Sequence, residues 1–139
     1  MATNTAGNSG QKYQTNQTHY LLKRVRYSDF STANAAMTIG VLPPGAVVKY
    51  GHTWIVTSFD DTNGDDLDIG VSGSDDDLFA SGVDLNTGST LTTFDDLADA
   101  NRYSASARTV TCNFTTAPSG NGTVGEAMVY IEYHPAPLA

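Results

Sequence analysis

The chain has 139 residues, 40% of them hydrophobic, and a formal net charge of −8 at pH 7. This length fits one domain with a single core. The negative charge argues against nucleic acid as the main partner, because phosphate binding requires clustered lysine and arginine. No apolar run is long enough to span a membrane, and the single cysteine, Cys112, excludes an internal disulfide.

The first seventeen residues differ from the rest of the chain. Residues 1–17 are polar and contain one aromatic residue, Tyr13. They carry too little apolar surface to order themselves, so we predict a flexible N-terminal arm. Two alternatives stay open: a tail without contacts, or an arm that orders on a neighbouring subunit with Lys12 and Tyr13 as anchors. Residues 18–139 are predicted to form a single domain.

Two short strands are predicted at the start of this domain. Residues 19–27, which read HYLLKRVRY, predict a strand followed by a turn. Residues 36–42 predict a second strand, in which Met37, Ile39 and Val41 share one face because side chains alternate with a period of two.

The middle of the chain combines strands with strong turn signals. The two prolines and the glycine of residues 43–45 predict a turn. Residues 46–59 predict one bent strand or a strand pair, with Gly51 as a bulge. Residues 60–66 predict a loop with an Asn-Gly turn signal, and residues 67–71 predict a strand with one buried face.

The last third ends in two predicted strands. Residues 74–78 predict a short helical turn, and residues 90–103 predict a short helix or a loop. Residues 107–116 and 124–133 predict adjacent antiparallel strands, and apolar residues on both faces of the second indicate a central strand or an oligomer contact. Seven or eight such strands predict an all-β fold, a jelly-roll-like antiparallel β-sandwich of about eight strands.

Charge is unevenly distributed along the chain. Twelve of the fifteen acidic residues lie between positions 60 and 99, and no lysine or arginine occurs from Tyr50 to Asn101. The first fifty residues are basic. Either the loop acids are solvated and keep the protein soluble, or an acidic and a basic face exist and one docks on a partner of opposite sign. We expect the basic, N-terminal side to contact neighbours.

A calcium site is the best chemical candidate. Its possible ligands are Asp60, Asp61, Asn63, Asp65, Asp66 and Asp68. Asp61, Asn63 and Asp65 alternate as in an EF-hand loop. However, Asp66 stands where that loop requires glycine, and Ser72 where it requires a bidentate glutamate. We therefore assign no metal ligand and no cofactor.

Other chemistry finds less support. His19, His52 and His134 lie far apart without a second ligand at metal spacing, so no zinc site is predicted. Cys112 is predicted to be a buried structural thiol. No nucleophile elbow, phosphate loop or dinucleotide motif is present. The sequence thus predicts no catalytic residue and a protein that is not an enzyme.

Four aromatic residues offer a further alternative, a platform for sugar. They are Tyr50, Trp54, Tyr103 and Tyr133. We expect Trp54 to lie in the core instead, because it falls within a strand pattern in which apolar residues occupy both alternating sets.

Residues 38–86 resemble a family of small tailed-phage virion proteins, the head-decoration or cement proteins of the Bordetella podovirus type. The resemblance rests on Ile39-Gly40 followed by residues 42–48, on a hydrophobic strand ending at residues 59–61, and on Leu67-Asp68-Ile69-Gly70 before the Asp-rich segment at Phe79-Ala80. Residues 125–133 resemble the family's closing strand. None of these motifs is catalytic.

The resemblance implies a jelly roll on the outer capsid surface of the virion, assembled in the cytoplasm of the bacterial host. It implies a homo-oligomer, with a dimer favoured, that clamps neighbouring copies of a major capsid protein with the HK97-like fold. From the net charge and the absence of a long apolar run we expect neither nucleic acid nor membrane as a partner. The alternatives are another virion part, such as a head fibre or tail module, and a carbohydrate-binding jelly-roll module.

Overall fold

The computed structural model describes residues 18–31, 36–61, 66–116 and 118–135. Within them the chain forms eight strands, one turn of 3-10 helix at Tyr27–Asp29 and one short α-helix, α1, at Asp99–Arg102. The strands are β1 His19–Arg26, β2 Ala36–Leu42, β3 Val47–Thr57, β4 Asp66–Val71, β5 Ala80–Asp84, β6 Thr90–Thr93, β7 Arg108–Phe114 and β8 Glu126–His134.

The strands form two four-stranded antiparallel sheets. The sheet with the order β1-β8-β3-β6 is named the β8 sheet, and the sheet with the order β2-β7-β4-β5 is named the β7 sheet. The chain forms one long antiparallel ribbon, in which β1 pairs with β8, β2 with β7, β3 with β6 and β4 with β5. The ribbon wraps on itself, so that β8 also pairs with β3 and β7 also pairs with β4. This is the strand order of an eight-stranded jelly roll. The predicted all-β sandwich is confirmed.

The core lies between the two sheets and follows period-two alternation. Leu67 and Ile69 of β4 and Val110 and Cys112 of β7 are fully buried, as are the alternate residues of β8 from Ala127 to Ile131. The predicted buried face of residues 67–71 is therefore confirmed, as is the predicted burial of Cys112. The predicted strand in residues 19–27 and the turn that follows it, at Ser28–Asp29, are confirmed as well.

The predicted common face of β2 is wrong at Val41. Pairing with β7 shifts register between Thr38 and Gly40, so Ile39 is an extra residue in this strand. Such a bulge reverses the alternation of the residues that follow it. Consequently Ile39 and Leu42 are buried, whereas Val41 is 53% exposed.

Gly51 is not the bulge that its position in β3 predicts. The register of this single continuous strand shifts between Val48 and Tyr50 and again between Ile55 and Thr57, which puts bulges at Lys49 and Val56. Gly51 pairs regularly with Ile131, and a Cβ atom there would lie 2.2 Å from the Phe94 ring. The glycine is needed because an aromatic ring packs directly against the backbone.

The two C-terminal strands are not adjacent, contrary to the prediction. β7 pairs with β2 and β4, while β8 pairs with β1 and β3 in the opposite sheet. The connection between them crosses from one sheet to the other, and the side chains of Asp60 and Asp61 bind it there. Both strands are nevertheless flanked on each side, so residues 124–133 form a central strand, one of the two alternatives given for them.

The predicted helical elements are partly wrong. Residues 74–78 form tight turns without a helix. Within residues 90–103 the first four residues form β6, which was not predicted, and the short helix α1 follows. The turn predicted at residues 43–45 is present: the Ala46 N–H donates to the Pro43 carbonyl, and Gly45 has φ +80°.

Two arginines attach α1 to the sandwich. Arg102 donates to the carbonyl oxygens of Val48 and Lys49 in the β3 bulge. Arg108 donates to the carbonyl oxygens of Asn101 at 2.7 Å and Arg102 at 3.1 Å, at the end of α1 where no helical N–H is available. Burial lowers the pKa of Arg108. The predicted arm, residues 1–17, lies outside the described residues.

Candidate interaction surface

The outward residues of the β8 sheet form one continuous surface, named here the outer aromatic face. They alternate along each strand with the buried residues. The face consists of Tyr20, Leu22, Arg24 and Arg26 on β1, Glu126, Met128, Tyr130 and Glu132 on β8, Tyr50, His52, Trp54 and Val56 on β3, and Leu91 and Thr93 on β6.

Tyr130 is the centre of a cluster of rings on this face. Its centroid lies 5.4 Å from that of Tyr20 on one side and 4.9 Å from that of His52 on the other, with small interplanar angles of 27° and 23°. The Tyr50 ring lies 6.1 Å from the Tyr130 ring. Three neighbouring strands thus contribute rings: His52 lies directly opposite Tyr130, and Tyr20 and Tyr50 lie at diagonal positions, which aromatic side chains can reach.

Large apolar side chains on the face remain accessible to solvent. Tyr20 is 60%, Leu22 49%, Trp54 38% and Leu91 52% exposed. Monomeric soluble proteins rarely expose a contiguous apolar patch of this kind, and such patches mark contact sites. The expectation that Trp54 lies in the core is wrong, because β3 turns Thr53 and Ile55 inward instead.

The charges at the border of the face are paired. Arg24 Nε lies 2.9 Å from Glu126 Oε1, and Lys49 Nζ lies 3.2 Å from Glu132 Oε1. A hydrogen bond from the Tyr50 hydroxyl, with help from Lys49, lowers the pKa of Glu132. The same hydrogen bond raises the pKa of Tyr50 to about 12. Near neutral pH, Glu132 is therefore ionised and Tyr50 is a neutral donor.

The outer side of the β7 sheet has a different character. Most of its exposed or half-buried positions are polar, with Thr109 and Asn113 on β7 and Asp66 and Asp68 on β4. Val41 on β2, beside Thr109, is an exposed apolar exception. Asp68 Oδ1 accepts the Gly82 N–H at 2.8 Å. The basic residues of β1 lie in one sheet, whereas β4, β5 and the acidic loop between them belong to the other. The two sides of the molecule therefore differ in charge.

An acidic cluster occupies the loop between β4 and β5. The carboxylate oxygens of Asp75, Asp76 and Asp77 lie within 4.8 Å of one another. A hydrogen bond with Asp75, together with the charge of Asp75, raises the pKa of Asp77. Three consecutive aspartates on a mostly exposed loop produce such a cluster without any ligand, so we assign no metal to it.

Asp60 and Asp61, two of the candidate calcium ligands, bind protein donors in the crossover between β7 and β8. Asp61 is buried and accepts the Tyr27 hydroxyl at 2.8 Å, the Ser119 N–H and hydroxyl at 3.0 Å each, and the Gly122 N–H at 3.2 Å. Asp60 accepts the Thr123 N–H and hydroxyl at 2.7 Å. Asn63 and Asp65 lie outside the described residues.

The other candidate residues are dispersed. Cys112 is buried as predicted, and this burial raises the pKa of its thiol to about 12. Of the four aromatics proposed as a sugar platform, Tyr50 and Trp54 lie on the outer aromatic face. Tyr133 is buried on the opposite side of the sheet, and Tyr103 lies next to Val47 at the end of β3.

The histidines also separate: His52 lies within the ring cluster, and the His19 ring lies 5.9 Å from the Tyr133 ring. Sequence reasoning missed Tyr20, His52 and Tyr130 as members of a surface. The available signal was the presence of apolar residues in both alternating sets of the strands that carry them.

Among the described residues, no helix has the length and apolarity to span a lipid bilayer.

Comparison with known proteins reveals likeness at the level of the fold. No family model and no curated protein matches the chain significantly. A chain of the cyanophage Pam1 capsid matches with a TM-score of 0.65 at 19% identity, over 96% of this chain and 94% of that one. A chain of the Helicobacter pylori bacteriophage KHP30 capsid matches with a TM-score of 0.65 at 16% identity, over 88% of this chain and 90% of that one. A chain of the Ralstonia phage GP4 capsid matches with a TM-score of 0.59 at 16% identity, over 87% of this chain and 86% of that one. These TM-scores, at identities below 20%, establish a shared fold and nothing finer.

Proposed function

We propose that this protein is a structural virion protein that binds the outer surface of a phage capsid. There it cements neighbouring capsomers of a major capsid protein with the HK97-like fold, and it assembles onto them in the cytoplasm of the bacterial host. The observation that carries the proposal is the exposed outer aromatic face on a jelly roll whose fold occurs in three phage capsid structures. Such a face requires a partner.

The physical basis of cementing is multivalency. A single weak contact becomes effective when many copies bind one shell, because each further contact of a bridging copy forms at high effective concentration. A protein that binds the intact shell and not its separated capsomers stabilises the shell by mass action. In this way a small protein without an active site can support the head against the pressure of packaged DNA.

The proposal describes binding and not catalysis. The one thiol is buried with a raised pKa, so Cys112 is protonated at neutral pH and is a poor nucleophile. Asp60 and Asp61 are engaged by loop donors. The proposal keeps the organisation predicted from the sequence, a single domain of residues 18–139 preceded by an arm, and it includes self-association with a dimer favoured.

The experiment is a comparison of phage particles with and without this chain. Particles that lack it are expected to release DNA at a lower temperature than complete particles, measured by dye access during heating. Adding back the purified chain restores the release temperature. Equal release temperatures would contradict cementing. Quantified protein gels separate cement from a head-fibre or tail module, because cement is present in copy numbers comparable to those of the capsid protein.

A carbohydrate-binding module is a second candidate, favoured by the ring cluster around Tyr130. Exposed aromatic rings offer apolar faces to which a sugar ring can bind. Binding on a glycan array that disappears in Tyr20→Ala would favour this function, and an array without signal would remove it.

A further inference from the structure

We infer that the free edge of β6 pairs with an extended segment of the capsid partner, which joins the four-stranded β8 sheet as an added strand and carries a basic residue beside Asp96. The inference rests on the proposed function, since it concerns how the chain attaches to the capsid. It goes further by naming the strand edge, its unpaired backbone groups and the chemistry of the segment that binds them.

The outer edge of β6 is open. This strand ends the β8 sheet and, within the described residues, pairs only with β3. The Phe94 N–H, directly after the strand, donates to the Gly51 carbonyl oxygen on β3 at 3.0 Å. Backbone groups of an antiparallel strand point alternately to its two sides, so those of Thr92 also point toward β3. The N–H and C=O groups of Leu91 and Thr93 therefore point away from the sheet, and no described residue hydrogen-bonds to them.

The other three edge strands carry features that hinder pairing with another chain. Lysine and arginine occur in β1, and β2 contains a bulge. In β5 the register also shifts, and carboxylates accept two of its N–H groups: Asp95 that of Ser81 at 3.3 Å, and Asp68 that of Gly82 at 2.8 Å. By contrast, residues 90–93 contain no charge, no proline and no bulge. An edge without such protection is a template for an added strand.

The open edge is continuous with the outer aromatic face. Leu91 and Thr93 belong to this face, and Leu91 pairs with Trp54 on β3. A strand added beside β6 therefore places every second side chain on the same face. Because β6 has only four residues, the pairing supplies few hydrogen bonds, and side chains of the segment supply the remaining contact. We expect an apolar side chain opposite Leu91, which is 52% exposed.

The charge next to this edge favours a basic segment. Asp95 and Asp96 directly follow β6 and are exposed, and no lysine or arginine occurs from Tyr50 to Asn101. Asp95 accepts the Ser81 N–H, whereas the Asp96 carboxylate accepts no hydrogen bond from the described part of the chain. Opposite charges across a contact favour binding and like charges oppose it. A segment with a lysine or arginine beside Asp96 therefore fits this edge, and an acidic one does not.

The test measures binding of the purified full-length chain to phage particles that lack it, by co-sedimentation over a range of chain concentrations. Thr93→Pro removes one N–H from the open edge and keeps the hydrogen bonds between β6 and β3, because proline is compatible with an edge strand whose N–H faces outward. It is expected to weaken binding about tenfold, since an acceptor on the segment stays unpaired. Thr93→Ala is the matched control. It loses the same side chain, keeps the N–H and should bind within about threefold of wild type.

A second pair of variants tests the charge. Asp96→Lys places a cation beside the basic residue of the segment and is expected to weaken binding about fivefold at low ionic strength, and less at high ionic strength. Asp76→Lys makes the same change in the loop between β4 and β5 and should bind like wild type. Equal binding of the two variants would overturn the basic character inferred for the segment.

Amide hydrogen exchange of the wild-type chain tests the edge without any variant. The Leu91 and Thr93 amides should exchange rapidly in the free chain and slowly on particles. Unchanged exchange there, or a Thr93→Pro variant that is folded by circular dichroism and binds like Thr93→Ala, would overturn the inference and leave the proposed function intact. Protection in the free chain that rises with its concentration would assign the edge to a second copy and also overturn the inference. A wild-type chain that does not bind particles overturns the proposed function.

Discussion

Removal of the Asp61 carboxylate is expected to destabilise the protein more than loss of any other acidic side chain in the described residues. Asp61 is 3% exposed and accepts at least four hydrogen bonds. Two come from backbone N–H groups, of Ser119 and Gly122, and two from hydroxyls. Its partners lie in the segment that crosses from one sheet to the other, and in the turn after β1. The carboxylate therefore determines where the crossover lies.

The magnitude follows from the donors that lose their acceptor. A hydrogen bond to a charged group contributes about 1.5–3 kcal/mol to stability, and an unsatisfied buried donor loses a similar amount. The two hydroxyls can rotate to other acceptors, so we count the two backbone donors and expect Asp61→Ala to cost about 4 kcal/mol. Asp61→Asn keeps an oxygen acceptor at the Oδ2 position but turns its amide N–H toward the Ser119 N–H. We therefore expect Asp61→Asn to lower the free energy of unfolding by about 2 kcal/mol.

The assay is urea unfolding followed by tryptophan fluorescence, with thermal unfolding alongside. A loss of about 4 kcal/mol corresponds to a fall of roughly 10–15 °C in the unfolding midpoint for a chain of this length. Asp76→Ala, in the exposed acidic loop, is the control and is expected to change stability by less than about 0.5 kcal/mol. A second readout is the pKa of Tyr27, which its hydrogen bond to Asp61 raises and which should fall in Asp61→Ala. A variant within about 1 kcal/mol of wild type would refute this account of the crossover.

Three further predictions concern stability. The Thr53 hydroxyl is buried without a hydrogen-bond partner in the described part of the chain, so Thr53→Val should gain about 1 kcal/mol in urea unfolding, whereas Thr109→Val on the exposed side should gain nothing. Gly51→Ala would place a Cβ 2.2 Å from the Phe94 ring and should lower the free energy of unfolding by about 1–3 kcal/mol. In a double-mutant cycle, the smaller side chain of Phe94→Leu should restore part of this loss, and strictly additive effects of the two changes would contradict the contact. Hydrogen bonds from the Val124 N–H and the Thr123 side chain lower the pKa of Asp60. The stability difference between wild type and Asp60→Asn should therefore be full above the unfolded-state pKa, about 4, and should vanish as the pH falls through the lower folded-state pKa; a difference independent of pH would contradict this.

The buried strands could be predicted from the sequence where one alternating set is apolar and the other polar. In residues 67–71 and 107–116 the apolar set is unambiguous, and the structure buries it. The turn at residues 43–45 was equally accessible, since proline and glycine restrict the backbone locally. These elements depend on interactions within a few residues, which the sequence records directly.

Elements that depend on distant residues could not be predicted. The strands β5 and β6 contain five and four residues, too short for a clear period. The bulge at Ile39 reverses the alternation, and the Gly40 that follows it does not by itself show on which residue the register shifts. The assignment of β7 and β8 to opposite sheets depends on where Asp61 binds Ser119 and Gly122. That contact joins residues about sixty positions apart and leaves no local pattern.

The outer aromatic face could not be recognised from the sequence, because the apolar residues that form it hide the alternation of buried and exposed positions. A strand of an antiparallel sheet with one solvated face should alternate apolar and polar residues. In β1, β3 and β8 both alternating sets contain apolar residues, so periodicity alone could not decide whether Trp54 or Ile55 faces the core. The structure buries Ile55 and exposes Trp54. Apolar residues in the second set do not contribute to the core of the monomer, and their burial requires another molecule. Two-sided apolarity in a sheet that is covered on one side is therefore the sequence pattern that indicates this candidate surface.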